Sequence, residues 1–435
     1  MSTLNKIPPK EVIETLRPFI SYKDDELYIE NVSAMNIIER YGTPTFVFSK
    51  NRIKDNVRVF TDTFRKACSK VEFFYPYRAN YLPEILNIVH SEGWGSEVVS
   101  PFEYKIAKSV SSPKIILNGF NRKLYPEIID DKKIFYIAID SLEDAKVINE
   151  LGKAMNKTIN IGLRVHPKLD TLQNKSLIPL GFKLGYDIEN GDAEEIVSKL
   201  CKMKYINLVA LNTHVANRES SPDLHTKALH SLLSFADNVC TKYDINIQYI
   251  NIGGGFESRN LLEQHSDLKF FADKFSEEFA RAKKEYTLIL EPGRFIVCDT
   301  AVVLTEIISK KVNRGRRWII VDCGINTLIP LRSASFDVIP VLLNSERDVK
   351  FEVFNVGDFI ATSMGIIKEK VVLPVNIKCG DILGIINTGA YTLSMSEQFG
   401  LLRPTTILVN RDKIKVIKER ENPENVVKKL KSKEW

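Results

Sequence analysis

Three consecutive glycines follow an apolar run in INIGGGF (250–256). Glycine allows positive φ and lets backbone N–H groups approach a phosphate, so Gly253, Gly254 and Gly255 have the makings of an anion cradle. A tight strand-to-helix turn accounts for the same three glycines equally well. A second run, LILEPGRFI (288–296), sets Glu291 and Arg294 around Pro292 and Gly293. Such a carboxylate suits a protonated ring nitrogen, and such a guanidinium suits a phosphate. A structural ion pair at the end of a strand is the plainer alternative. His214, in LNTHVANRES, and Arg164, in GLRVHP, each close an apolar run. A charge emerging from such a strand needs a partner or a ligand, whereas a lone histidine is more often structural than catalytic. GAYTLSMSEQF (389–399) places Tyr391 in a glycine turn, where it can bind phosphate or close a pocket, or be an ordinary turn residue.

Most of these residues fall at the ends of short β-rich runs: TFVFS (45–49), VEFFYPY (71–77), SEVVS (96–100), KIILNG (114–119), FYIAID (135–140), NIGLRVHP (160–167), INLVALNTHV (206–215), INIQYINIGGG (245–255) and LILEPGR (288–294). Amphipathic helical stretches such as PEILNIVHSEG and AEEIVSKLCKM separate them. Strand–helix alternation implies a parallel sheet, and about eight such units suit a closed (β/α)8 barrel. Past residue 300 the pattern turns to strands joined by turns, among them WIIVDCG, FEVFNVGDF and TTILVN, which predicts an antiparallel β domain. The expected division is 1–44 as a segment joining the β domain, 45–300 as the barrel, and 301–435 as the β domain with a charged, frayed tail.

The chain of 435 residues carries 61 basic and 55 acidic residues, a net charge of +6. Spread over this length, that balance gives no reason to expect a nucleic-acid partner. The six cysteines form no CxxC pair and suit reduced thiols in the cytoplasm. MSTLNKIPPKEVIE lacks an apolar core, and no apolar run approaches ~20 residues, so neither a signal peptide nor a membrane span is expected.

Taken in order, GTPTFVFS, YPYRAN, EVVSPFEY, FNRK, LRVHP, THV, NIGGGF, EPGRFIV, VDCGINTLIP and GAYTLSMS resemble the fold type III pyridoxal-phosphate (PLP) decarboxylases, and diaminopimelate decarboxylases above all. The resemblance runs from about residue 25 to 410. It implies an alanine-racemase-like (β/α)8 TIM barrel, a C-terminal β-barrel or sandwich domain, and a homodimer with active sites at the interface. It also implies that His214 stacks on the PLP ring and that Glu291 pairs with the ring nitrogen. Gly253, Gly254, Gly255, Gly293, Arg294 and Tyr391 would surround the phosphate, with Glu97 and Arg164 near the ring. Glu97 stands where the family usually has aspartate.

The departures fall on chemical positions. The family's Schiff-base lysine corresponds to Arg78, whose guanidinium stays protonated and is no nucleophile. A loop that normally carries the proton-donating cysteine reads VGDFIATSMG (356–365), so that Ile360, Ala361 and Met364 replace the cysteine and two acids. The phosphate-contacting serine falls on Asn217, after Ala216 in place of glycine. Arg332 matches the substrate-holding arginine only approximately. Acid–base work would fall to Tyr75, Tyr77 or His214.

Three functions are therefore open. The first is an enzyme acting on an amino acid or its derivative with non-covalent PLP. The second is a non-catalytic homologue, a binding or regulatory subunit that pairs with an active paralogue as a heterodimer. The third is a metabolite-binding protein whose Arg78 fills the lysine space and serves an anion pocket.

Overall fold

The computed structural model describes residues 13–119, 121–167, 183–329, 336–343 and 350–430. The chain forms two compact units: Val57–Glu257 with His265–Arg294, and Met1–Asn56 with Ser258–Gln264 and Phe295–Trp435.

The first unit is a closed parallel barrel. Its strands are β1 (Val71–Pro76), β2 (Gly95–Val98), β3 (Ile115–Leu117), β4 (Ile134–Ile139), β5 (Ile159–His166), β6 (Ile206–Asn212), β7 (Tyr249–Asn251) and β8 (Thr287–Leu290). Each pairs with the next, and β8 closes on β1 through Leu290 opposite Phe73. Period-2 alternation sends one side-chain set into the barrel and the other toward the helices. Phe74, Ile116, Tyr136, Ala138, Ala210 and Ile289 form one buried cluster. Two strand glycines make room for its rings: a Cβ on Gly95 would lie 2.6 Å from the Phe74 ring, and one on Gly162 2.8 Å from that of Tyr136. Burying a ring of this size contributes roughly 1.5–3 kcal/mol. Between strands, helices start on local signals. Ser100 caps Pro101–Ser109 by accepting the Glu103 N–H, with proline at the first turn, and Ser141 caps Leu142–Ala154 through the Asp144 N–H.

The second unit is built on a sheet ordered Ile366–Pro374, Phe351–Asp358, Arg316–Val321, Ala301–Asn313, Thr45–Ser49, Thr405–Asn410 and Lys413–Lys418. TFVFS, expected among the barrel strands, belongs here. It lies antiparallel to Ala301–Asn313 and parallel to Thr405–Asn410. A short apolar run has no feature that says which sheet it will join. The sheet is mostly antiparallel, but Arg316–Val321 and Phe351–Asp358 are also parallel neighbours. Strand Glu26–Ile29 reaches the same unit, with the Leu27 N–H donating to the Val341 carbonyl at 2.8 Å. The charged tail, expected to fray, contains a helix over Pro423–Leu430. No helix among the described residues is long and apolar enough to cross a membrane.

Candidate functional site at the barrel mouth

Polar side chains gather where the barrel strands end. β1 runs out into Arg78, which faces Glu97 of β2. Arg78 Nη1 donates to Glu97 Oε1 at 3.0 Å and Nη2 to Oε2 at 2.6 Å. The Glu97 side chain is 0% exposed and that of Arg78 42%. This two-point, charge-assisted fork fixes the plane of the guanidinium and neutralises a carboxylate that would otherwise be buried alone. Close by, burial pushes the Glu103 carboxyl up to about 7, with the Arg78 charge opposing.

Across the mouth, register aligns Arg164 of β5, Asn212 of β6 and Asn251 of β7. The Arg164 Nε lies 4.0 Å from Asp140 Oδ2, and burial lowers the guanidinium's affinity for its proton. Asp140, just past β4, accepts the Gly185 N–H at 2.6 Å through its other oxygen. Asn212 Oδ1 is buried without a protein donor among the described residues. A buried amide oxygen in that condition is a place for a ligand's N–H or O–H.

The glycine loop follows β7. Its backbone sits so close to its neighbours that side chains are excluded. A Cβ on Gly254 would lie 2.3 Å from the Glu291 carbonyl oxygen, and one on Gly255 2.4 Å from that of Ala216. Gly253 and Gly255 have φ of +72° and +91°. The Gly253 N–H donates to Asn251 Oδ1 at 2.8 Å, and the Gly254 N–H to His214 Nδ1 at 3.2 Å. The carbonyls of Gly253, Gly254 and Gly255 accept from Glu291 N, His225 Nε2 and Glu219 N, each at 2.8 Å. The amides of Gly255 and Phe256 have no protein acceptor among the described residues. The loop thus keeps two adjacent N–H groups available to an anion. The segment bearing Ala216 and Asn217 runs beside it, with Asn217 exposed.

Glu291 follows β8 directly and is 6% exposed, with Arg294 at 7% in the turn after Gly293. Asn251 Nδ2 donates to Glu291 Oε1 at 2.7 Å and to the Tyr136 hydroxyl at 2.8 Å. Burial, and then the Glu97 charge, raise the Glu291 carboxyl well above the usual carboxylate range, against the pull of Asn251, Arg78 and Arg164. Opposite stands His214, whose ring is open to the mouth. The surrounding protein and the cations Arg164 and Arg78 hold the imidazole in its neutral form. Since its Nδ1 accepts the Gly254 N–H, Nε2 carries the proton. His214 therefore presents a flat face with a donor edge.

Tyr77 does not do acid–base chemistry here. Phe73, Tyr75 and Tyr77 share the outward face of the first strand, and the Phe73 ring stacks on Trp94 at 5.0 Å. The Tyr77 hydroxyl donates to His90 Nε2 at 2.8 Å, while His90 Nδ1 donates to the Trp94 carbonyl at 2.8 Å. Both tyrosines are 0% exposed. Strand alternation, legible in EFFYPY, points them at the helix layer.

Tyr391 belongs to the other unit, at φ +59°. The loop after Phe351–Asp358 is in that unit too. It closes on Asp358, which accepts the N–H groups of Ile325 at 2.7 Å and Ile360 at 3.1 Å; Met364 is 56% exposed. Arg332 lies outside the described residues. Sequence reasoning missed Asn212, Asn251, Asp140, Tyr136 and His225. The two asparagines end apolar strands, the same signal that singled out Arg164. A cleft of about 630 Å³ is lined chiefly by helix Asp223–Tyr243, with Ile188, Glu189, Glu194, Glu278 and Arg281, and by none of the site residues described above. No group of three or more side chains suited to a metal occurs among the described residues.

The barrel mouth thus brings together loop amides with no protein acceptor among the described residues, a buried carboxyl, an exposed imidazole and a buried amide oxygen without a donor, groups whose chemistry suits an anion and a planar polar ring. Over residues 52–298, more than half of its length, the chain matches the family described as pyridoxal-dependent decarboxylase, pyridoxal binding domain. It belongs to that family. It is 26% identical to the diaminopimelate decarboxylase of Aquifex aeolicus, over 96% of this chain and 98% of the relative. It is 27% identical to that of Methanocaldococcus jannaschii, over 94% and 96%. The crystal structure of the M. jannaschii protein superposes with a TM-score of 0.88 at 25% identity, covering 96% of this chain and 99% of the other.

Proposed function

We propose that this diaminopimelate-decarboxylase-like protein binds PLP without a covalent link and lacks lysine-dependent decarboxylation. The observation that carries the reading is the Arg78–Glu97 fork at a barrel mouth that also gathers the glycine-loop amides, the Glu291 carboxyl and the His214 ring. We read Arg78 as standing at the position of the family's Schiff-base lysine. Its nitrogens are delocalised, protonated and turned onto Glu97, so none can attack an aldehyde.

PLP, when bound, supplies an electron-accepting ring that stabilises negative charge beside an amine. In this reading the Gly255 and Phe256 amides with Arg294 hold the phosphate. Glu291 meets the ring nitrogen, and a protonated ring would draw its carboxyl back to the ionised form. His214 covers one ring face. Arg164 and the Asn212 oxygen address the ring's polar edge, and Gly293 shapes the turn that brings Glu291 and Arg294 together. Asn217 borders the glycine loop. The ligand at the amine side is an amino acid or a derivative; one crystal structure of the M. jannaschii relative is a co-complex with L-lysine. We place the protein in the cytoplasm, as a homodimer.

A second reading is a non-catalytic homologue that pairs with an active paralogue. It is favoured by Ile360, Ala361 and Met364 in the 356–365 loop, where no side chain between Asp358 and Gly365 other than Ser363 and Thr362 can exchange a proton.

Calorimetric titration with PLP, pyridoxal and inorganic phosphate tests the proposal. PLP should bind saturably, phosphate should compete, and pyridoxal should bind at least ~10-fold more weakly, the loss expected for charge-assisted hydrogen bonds. Equal affinity for PLP and pyridoxal, or no binding of either, would remove the basis for the reading.

A further inference from the structure

Asn251 holds three parts of the mouth at once. Its Nδ2 donates to Glu291 Oε1 at 2.7 Å and to the Tyr136 hydroxyl at 2.8 Å, while its Oδ1 accepts the Gly253 N–H at 2.8 Å. The residue is 1% exposed and sits at the last position of β7. Both protons and the oxygen of the amide are therefore engaged, which fixes its orientation: a flipped amide would set an N–H against the Gly253 N–H and an oxygen against the carboxyl. Tyr136, anchored in the barrel core, supports Asn251 from below.

We propose that Asn251 is a positioning residue for this pocket: one end of its amide aims the Glu291 carboxyl and the other sets the glycine loop. By taking the Gly253 amide, it pins the first residue of the loop, whose Gly255 and Phe256 amides have no protein acceptor among the described residues. By donating to Glu291, it selects which carboxyl oxygen remains for a ligand and favours the ionised form. The inference rests on the reading of the mouth as a PLP site, but each arm has a separate consequence.

Two substitutions separate the arms. Asn251→Asp keeps an oxygen for the Gly253 N–H and loses the donor to Glu291. Asn251→Leu loses both. For Asn251→Asp, inorganic phosphate affinity should stay within about 2-fold of wild type while PLP affinity falls about 10-fold, the loss of one charge-assisted hydrogen bond. For Asn251→Leu, both affinities should fall about 10-fold or more. Parallel losses of phosphate and PLP binding in both variants would indicate a merely structural role and overturn the proposal. A third measurement needs no ligand. With 13C-labelled glutamate, the Glu291 carboxyl should titrate at higher pH in Asn251→Leu than in wild type, because a donor to its ionised form is gone. An unchanged titration overturns the proposal even if wild type binds no PLP, an outcome that would sink only the reading of the pocket. Should Asn251→Leu fail to fold, the titration is read in Asn251→Asp, where a second carboxylate must raise it further.

Discussion

The two sides of the barrel mouth differ in kind. On the β7–β8 side, a glycine loop, a buried carboxyl and a bridging asparagine are arranged around groups that can only bind. On the β1–β2 side, where a nucleophile would act, a guanidinium is forked onto a buried carboxylate. In the reading proposed above, binding and bond-making would fall to different strands, so that one could change while the other stays. The binding side is sterically over-determined: a Cβ added at Gly253, Gly254 or Gly255 would clash with a neighbouring carbonyl oxygen at 2.3–2.8 Å. The β1–β2 side has no such restriction. The Arg78 side chain is 42% exposed, so residue 78 can vary without unpacking the barrel.

The binding side should break hardest. Gly254→Ala forces a Cβ to 2.3 Å from the Glu291 carbonyl oxygen. It should destabilise the protein by at least about 2 kcal/mol and abolish phosphate and PLP binding, measured by chemical denaturation and calorimetry. On the other side, Arg78→Met strands the Glu97 carboxylate, 0% exposed, without its partner. A buried pair broken this way loses about 3–5 kcal/mol, and the exposure of Arg78 reduces the expected loss to about 2 kcal/mol. Glu97→Gln, which leaves the cation facing water, should cost less. Equal losses from the two variants would show that the fork is not buried on one side only.

A subtler difference concerns pH. Burial raises the Glu291 carboxyl above its unfolded value. Its stabilising effect is complete below the unfolded value, near 4.3, and is lost as pH rises through the raised folded value. Glu291→Gln removes that dependence, so its melting temperature relative to wild type should climb between pH 5 and pH 9. A constant difference would mean that Glu291 is ordinary. The smallest effect belongs to Tyr77→Phe. Losing the hydrogen bond to His90 should cost about 1 kcal/mol and leave PLP affinity unchanged; a fall in affinity would bring Tyr77 back to the mouth.

Much of this arrangement is legible in the sequence, for definite reasons. Glycine runs and strand-ending charges are local signals, so Gly253–Gly255, Glu291 and Arg164 can be read from residue type and place, whereas Arg78 is singled out only by the family resemblance. The barrel follows from the alternation of strands and helices. What the sequence leaves hidden depends on long-range geometry. Strand Thr45–Ser49 has the same composition as a barrel strand, yet pairs with Ala301–Asn313 and Thr405–Asn410. Asn251 matters only because Glu291, forty positions away, and Tyr136 meet its amide. Tyr77 looks chemical until strand alternation turns it toward His90. His214 presents a donor edge only because the Gly254 amide occupies its Nδ1.

The central claim is that this barrel keeps its phosphate and ring site while residue 78 cannot hold the cofactor covalently. Borohydride reduction of wild type and Arg78→Lys, each with one equivalent of PLP, followed by intact mass and peptide mapping, tests it most directly. Wild type should bind PLP yet release it on denaturation with no stoichiometric adduct, and Arg78→Lys should carry one pyridoxyl group at residue 78. A stoichiometric adduct on any lysine of the wild-type barrel would contradict the claim, as would an Arg78→Lys protein that binds PLP but cannot be fixed at that position.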